Sequence, residues 1–565
     1  MIKIENNVYY LTAGNACYIF TASSHGELLH RYYGRRIEPE DELGTLGSVP
    51  DAMREFFMPG FDGRFEIKRQ ELLEEKPPAD VPMLDGGKTL ALALADDSGI
   101  RADIFITPYA RGGFTRRTII TNNGNSAVTI PAGCSVTGLA GEYDAVTVGT
   151  DGKLAVGEYT ARTRTADRFA AVAEHGADEA HGRVYGFACV FGDGRIDVRR
   201  ADDGIYVMCA AREVRLMPGE TLCLPEVLTV FSDSGYGGMS RAFHDIIREN
   251  SGNRSSERKP VVLFCPTLEA KDMCRAASAA LELGLDVFCV NADGVGHDGL
   301  KKIAAEAKRV GIKLGIKVCV SAVKKGSVLC GKSGIVPVSA DKYAVGDSRA
   351  FALALEKLID EFDIEYIMLD IPEPDIEKFA YAMYSLRREM QKRFGELVVE
   401  WGAVAANMQY AQSLVYPYGM TRIVADNSVA SLKTAFDRAT LGCLGYAFNP
   451  FELSDDIKRA VRAQVFSYQD DAPTVLGGDL YRLNAYDRAV VSKDKSKAYA
   501  VCLMTADRSD DTVRFVGLDE HNIYHVREKD KAFSGAALMY CGIKLAGVRD
   551  GDTVTFHLRQ VADFY

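Results

Sequence analysis

Hydrophobic and polar positions follow two different rhythms along this chain. Up to about residue 245, short alternating apolar and β-branched runs are punctuated by turn residues. Tyr18-Ile19-Phe20-Thr21 precedes Ser24-His25-Gly26, and Thr118-Ile119-Ile120-Thr121 precedes Asn122-Asn123-Gly124-Asn125. Val146-Thr147-Val148 precedes Asp151-Gly152. Asn-Gly and Asp-Gly supply the positive-φ residues that hairpin turns need, so this stretch predicts a large antiparallel β-sandwich. A helical pattern over Met239–Glu249 leads into Asn250-Ser251-Gly252-Asn253-Arg254-Ser255-Ser256. That small, polar segment, closed by Pro260, marks a domain boundary.

From Val261 the rhythm becomes strand–helix alternation. Continuous apolar runs predict buried strands at Val261–Cys265, Leu285–Asn291, Leu314–Val320, Tyr366–Asp370, Leu397–Glu400, Thr421–Ala425 and Cys443–Phe448. Amphipathic spacing predicts helices at Lys271–Leu283, Gly299–Val310, Arg349–Phe362, Ile376–Phe394 and Val429–Arg438. Parallel strands covered by helices in roughly eight repeats suggest a (β/α)8 TIM barrel, trimmed below the usual ~250 residues. Strand and turn patterns return from Gly478 (Ala498–Met504, Thr512–Gly517, Thr553–His557). The expected multidomain plan, α/β plus all-β, is therefore an N-terminal β-sandwich over 1–250, a barrel over 260–477 and a C-terminal antiparallel β domain over 478–565.

Composition narrows the function. The 565 residues carry 67 Lys+Arg against 78 Asp+Glu, a net charge of −11, with no run of basic residues. Nucleic acid and anionic membranes are thus not expected partners. No window of about 20 uncharged apolar residues offers a membrane span, and Met1–Asn7 opens no signal-peptide stretch. Thirteen cysteines without a Cys-x-x-Cys pair suggest buried free thiols, no metal site and a reducing cytoplasmic setting.

In a barrel the chemistry sits where strands end. P-loop, dinucleotide and nucleophile-elbow motifs are missing, so no cofactor is implied. His297 is the one histidine of the barrel region and reads as structural. Carboxylates remain. Asp370 ends Tyr366-Ile367-Met368-Leu369, Glu400 ends Leu397-Val398-Val399, and Asp426 ends Arg422-Ile423-Val424-Ala425. Each can be read as a cap or turn residue. Together they also supply what glycoside hydrolysis needs, a carboxylate that attacks the anomeric carbon and a second that moves a proton.

Motifs along most of the chain resemble glycoside hydrolase family 36, the α-galactosidase-type enzymes. They are Leu28-Leu29-His30-Arg31-Tyr32-Tyr33-Gly34, Pro225-Glu226-Val227-Leu228, Ser234-Gly235-Tyr236-Gly237-Gly238-Met239, Gly478-Asp479-Leu480-Tyr481 and Val490-Val491-Ser492-Lys493. The resemblance implies an N-terminal β-supersandwich, a barrel and a C-terminal β domain. It also implies a retaining exo-glycosidase working by double displacement on a small oligosaccharide or α-glycoside, with homo-oligomers possible.

Carried over position by position, the resemblance makes Asp370 the nucleophile, within Tyr366-Ile367-Met368-Leu369-Asp370-Ile371-Pro372 where the family has Tyr-Ile-Lys-Trp-Asp-Met-Asn. Asp426 becomes the general acid/base, followed by Asn427 as in the family's Asp-Asn pair. Asp293, in Asn291-Ala292-Asp293-Gly294-Val295, stands where the family grips sugar hydroxyls with Asp-Asp-Gly-Trp. Lys317 replaces the first aromatic of a Trp-x-Glu-Pro-Glu strand. Glu400-Trp401-Gly402 follows the fifth strand, and Trp401 is the chain's single tryptophan. Asp293, Lys317, Glu400, Trp401 and Asn427 are thus candidate substrate-binding residues. Loss of the other tryptophans removes apolar stacking faces for a sugar ring. The alternative is a catalytically inactive carbohydrate-binding or scaffold homologue on the same fold.

Overall fold

The computed structural model describes the chain apart from residues 39–52, 80–82, 149–153, 159–168, 191–194, 211–212, 251–259, 320–322, 371–397, 402–420, 426–427, 546–549 and 562–565, and the single positions 132, 203, 267, 507 and 509. It falls into two compact units, in the main Met1–Asn253 and the chain from Arg254 onward.

The first unit is built from antiparallel sheets. Ile2–Glu5, Val8–Ala13, Ala16–Ala22 and Leu28–Arg35 form a four-stranded meander, and a ten-stranded sheet carries the hairpins from Glu66–Leu73 to Gly113–Asn122. Period-two burial is clear in Thr89–Ala95, where Leu90, Leu92 and Leu94 are buried between partly buried alanines. One apolar cluster joins Leu11 and Phe20 of the meander to Leu92 and Ile104 of the large sheet and Val207 of a three-stranded sheet. The helix expected from Met239 begins four residues earlier, at Gly235. Gly235 has φ +64°, and a Cβ there would collide with the Asp178 carbonyl, so only glycine permits this entry.

This unit also buries charge. The Lys76 ammonium pairs with the Glu226 carboxylate, both almost fully enclosed. The Leu84 carbonyl (2.8 Å), the Tyr109 hydroxyl (3.0 Å) and Thr115 Oγ1 (3.1 Å) also surround the Lys76 ammonium, whose three protons are shared among these acceptors and Glu226, while Glu226 Oε2 accepts from Leu84 N–H (2.8 Å). Burial still pulls the Lys76 pKa below its ordinary value.

In the second unit seven parallel strands form one sheet: β1 (Val262–Cys265), β2 (Val287–Asn291), β3 (Lys313–Cys319), β4 (Ile364–Asp370), β5 (Val398–Trp401), β6 (Thr421–Val424) and β7 (Cys443–Tyr446). Their order is β5-β4-β3-β2-β1-β7-β6. β1 pairs with both β2 and β7, and the two outermost strands, β5 and β6, are consecutive among the described strands. The described helices are α1 (Ala270–Glu282), α2 (His297–Val310), α3 (Ser348–Phe362), α4 (Val429–Ala439) and α5 (Asp455–Gly477). α2 ends on Gly311 at φ +84°, a left-handed stop that glycine makes without strain. Ser454 caps α5, its Oγ accepting from Ile457 N–H (3.3 Å). The helix expected over Ile376–Phe394 lies outside the described residues.

Between β3 and α3 the chain forms a small antiparallel sheet (Val323–Lys324, Ile335–Pro337, Lys342–Val345) that the strand–helix alternation did not predict. Its strands are two to four residues long and largely exposed, so they carry no periodic apolar signal. The C-terminal six-stranded sheet is antiparallel and contains Lys497–Leu503 and Thr553–Gln560; the strand expected at Thr512–Gly517 is only Thr512–Val513. Among the described residues no helix is long and apolar enough to cross a membrane, and no three His, Cys, Asp or Glu gather as metal ligands. None of the thirteen cysteines is in a disulfide, and Cys541 alone is exposed.

His557, on the last strand, ties the C-terminal sheet to α5. Its Nε2 lies 2.8 Å from Asp471 of α5, and its Nδ1 lies 2.5 Å from Glu528. Burial opposes the charged imidazole, and the Arg527 guanidinium sits 2.9 Å from both ring nitrogens. The two carboxylates outweigh these and raise the pKa above 6.5. Burial likewise acts against the Glu528 carboxylate, yet His557 holds its pKa below 4.5.

Two predictions follow from these buried charges. Glu226→Gln leaves an uncompensated ammonium and lowers the unfolding free energy by about 3 kcal/mol; Lys76→Met with Glu226→Leu costs far less. An unchanged urea midpoint in the single variant would contradict this. The His557 contribution is fully present below pH 6.5 and fades as pH rises through its raised folded value. That of Glu528 is present above pH 4.5 and fades as pH falls. His557→Gln should flatten the alkaline fall in a plot of melting temperature against pH; a fall of the same steepness would show that the histidine is not its source.

Candidate active site at the strand ends

The inside of the parallel sheet is set by strand alternation. Val262 and Phe264 of β1, Val287 and Cys289 of β2, and Tyr366 and Met368 of β4 form one buried cluster, with Ile423 and Ala447 packed against it. Toward the carboxyl ends this face turns polar. Asn291 is in register with Lys317, Lys317 with Met368, and Met368 with Glu400. One level therefore crosses four strands as Asn291, Lys317, Met368 and Glu400. Cys319 is the register partner of Asp370, one level higher.

A cavity of about 460 Å³ opens at these strand ends. Its floor and walls include Phe264 and Cys265 of β1, Cys289 and Asn291 of β2, and Lys317 of β3. Lys317 is half-buried and is the one cation among the described residues of this lining. The Asn291 side chain accepts from Asp293 N–H (3.0 Å), closing the turn Ala292–Gly294 in which Asp293 is buried. Burial pushes the Cys265 thiol up to about 12, so it is no nucleophile at neutral pH.

The far wall comes from the loop after β7. The strand expected to run through Phe448 stops at Tyr446, because the Asn449-Pro450 step turns the chain. Asn449 Oδ1 accepts from Phe451 N–H (3.1 Å), and its Nδ2 donates to Glu452 (2.9 Å). Phe448, Asn449 and Glu452 thereby become wall residues that the sequence analysis did not single out, although Asn-Pro is a readable turn signal.

The other candidates are distributed as follows. Asp370 is the last residue of β4, and Glu400 and Trp401 end β5, with Trp401 in register with Leu369. Only the strand positions of these three are described. Asp426 and Asn427 lie outside the described residues, just beyond the end of β6 at Val424. Along the described pairings β4 and β6 are five steps apart. At roughly 4.8 Å per step that is about 24 Å over an open sheet, against about 5–5.5 Å for a retaining carboxylate pair. Asp370 and Asp426 can thus cooperate only if the sheet closes on itself between β5 and β6. His297, at the start of α2, bonds to Glu361 of α3 (2.7 Å) and is half-exposed, away from the cavity.

Known proteins resemble the chain as a whole. The profile described as the Glycosyl hydrolase family 36 C-terminal domain matches residues 487–558. Alpha-galactosidase Mel36A of Lactobacillus acidophilus is 22% identical, with 95% of this chain and 96% of that protein covered. Alpha-galactosidase AgaA of Geobacillus stearothermophilus is 22% identical, with 96% of each covered. The Mel36A comparison runs over 703 positions, more than the 565 residues here, so this chain spans it with deletions. The crystal structure of the GH36 alpha-galactosidase AgaB from Geobacillus stearothermophilus superposes with a TM-score of 0.81 at 21% identity, over 99% of this chain and 100% of that one. It shares the multidomain, β-rich architecture. With its C-terminal segment matched and its relatives aligned almost from end to end, the chain is similar over nearly its whole length to the α-galactosidases of glycoside hydrolase family 36.

Proposed function

We propose that this protein is a retaining exo-α-glycosidase, acting on α-galactosides or related small oligosaccharides, with Asp370 as nucleophile and Asp426 as general acid/base. The observation that carries the reading is the position of Asp370. It ends β4 at the carboxyl rim, one register level above Lys317, which lines the strand-end cavity. The Asp370 carboxylate attacks the anomeric carbon while the bond to the leaving oxygen breaks, and Asp426 gives that oxygen its proton. A water then attacks the same carbon, passes its proton to Asp426 and releases Asp370.

This chemistry needs the parallel sheet to close on itself as a trimmed (β/α)8-type barrel. The consecutive numbering of the two outermost strands supports that closure. We place the domain divisions at 1–250, 260–477 and 478–565. Lys317 and Asp293 are assigned to sugar hydroxyls, together with Glu400, Trp401 and Asn427. Variants of the relative AgaA have been crystallised in complex with raffinose and with stachyose, which favours an α-galactosyl oligosaccharide as the substrate here.

One observation favours the second reading, an inactive carbohydrate-binding homologue. The only carboxylate among the described wall residues of the cavity is Glu452, which is exposed and bonded to Asn449. Hydrolysis of a panel of aryl α-glycosides, α-galactoside included, separates the two. Under the catalytic reading at least one glycoside turns over, and Asp370→Asn lowers its kcat/KM by about 10⁴-fold while the fold is kept. No turnover by folded wild type across the panel would assign the protein to the binding class.

A further inference from the structure

A second cavity, about 850 Å³, lies on the outward side of the helices, away from the strand ends. On α1 its lining recurs with helical period as Lys271, Arg275, Ser278 and Glu282; α2 adds Lys302, Glu306 and Arg309. Lys458, in the first turn of α5, closes one end. Five of the seven charged side chains in this lining are cations, in a chain whose net charge is −11.

The two carboxylates do not balance the lysines. Glu306 is held by Arg309 (2.6 Å) and by the Ser278 hydroxyl (3.2 Å). Lys271, Lys302 and Lys458 have no carboxylate partner among the described residues. Gathering like charges around one depression is unfavourable unless an anion shares the space.

The groove also holds an aromatic face. Phe451 is 39% exposed, and the Arg275 guanidinium stacks over its ring at 4.8 Å. Phe451 belongs to the same loop as Phe448, Asn449 and Glu452, which wall the strand-end cavity. The loop 447–452 thus has one cavity on each side. A chain-like ligand leaving the strand ends reaches the groove by crossing a single turn.

We propose that this groove is a distal subsite for an acidic oligosaccharide, its anionic groups meeting Lys271, Lys302 and Lys458 and one sugar ring lying on Phe451. The assignment of the ligand to carbohydrate rests on the glycosidase family reading of the neighbouring cavity. A ring-shaped apolar face beside cations suits an acidic sugar better than a bare phosphate, which has no use for an aromatic platform.

Calorimetric titration of the full chain with tri-galacturonate, and with raffinose as the neutral control, tests it. Wild type should bind tri-galacturonate with an affinity that falls as salt is raised. Lys302→Glu with Lys458→Glu should weaken binding about tenfold, and Phe451→Ala several-fold, while turnover of a small aryl α-glycoside stays at the wild-type rate. Equal binding by wild type and the double lysine variant would overturn the proposal. So would inorganic polyphosphate binding as tightly as tri-galacturonate with no effect of Phe451→Ala, which would mark a bare anion patch. If aryl glycosides are not hydrolysed yet the variants still lose tri-galacturonate, the catalytic reading falls and the subsite stands.

Discussion

Tyr366 fits inside the parallel sheet because β3 carries no side chain opposite it. A Cβ on Gly315 would lie 2.9 Å from the Tyr366 ring and 3.0 Å from Val287, closer than carbon atoms pack. With that gap filled by the tyrosine, Val262, Phe264, Val287, Cys289, Tyr366 and Met368 close the interior as one apolar plug. Each such side chain removed from water contributes about 1.5–3 kcal/mol. The plug sets the depth of the cavity above it. Asn291 and Lys317, which line that cavity, stand at the Met368 level.

The same plug explains how remote parts of the chain come to share one site. β1 pairs on both sides, so residues near 265, 290, 317 and 449 meet around one opening although they are almost two hundred positions apart in sequence. The loop after β7 gains a second use from this arrangement. Its Asn449 side chain holds the turn through bonds to Phe451 and Glu452, and the turn separates the strand-end cavity from the basic groove on the helices. In the N-terminal unit the Lys76–Glu226 pair is enclosed, and nearby hydroxyl and backbone groups supply further hydrogen bonds to it.

Much of this was legible in the sequence. The seven parallel strands are found within a few residues of where continuous apolar runs place them, since a strand buried on both faces cannot hide that signal. The hairpin around Ser24-His25-Gly26 follows from its turn residues, and Gly26 has the positive φ expected of it; Asn122–Asn125 makes no hairpin, since the strand that follows it, Val128–Ile130, pairs with Val214–Leu216 instead of with Gly113–Asn122. The small sheet between Val323 and Val345 was not legible, because its short exposed strands bury too little to impose a pattern. Nor was the early helix start at Gly235, which depends on a clash with a carbonyl fifty-odd residues away in sequence. At the site, Lys317 was legible through the resemblance to family motifs, as was Asp293 in the turn after β2. Asn449 and Glu452 were not, since their role comes from where β7 stops and not from any periodicity.

The central claim is that Asp370 forms a covalent bond to the sugar. Incubation with an activated 2-deoxy-2-fluoro α-galactosyl donor, followed by proteolysis and mass spectrometry, reads this directly. The account predicts a glycosyl adduct on the peptide that contains Asp370, lost in Asp370→Asn. An adduct on a different carboxylate, or hydrolysis with no adduct and inverted anomeric configuration, would contradict it.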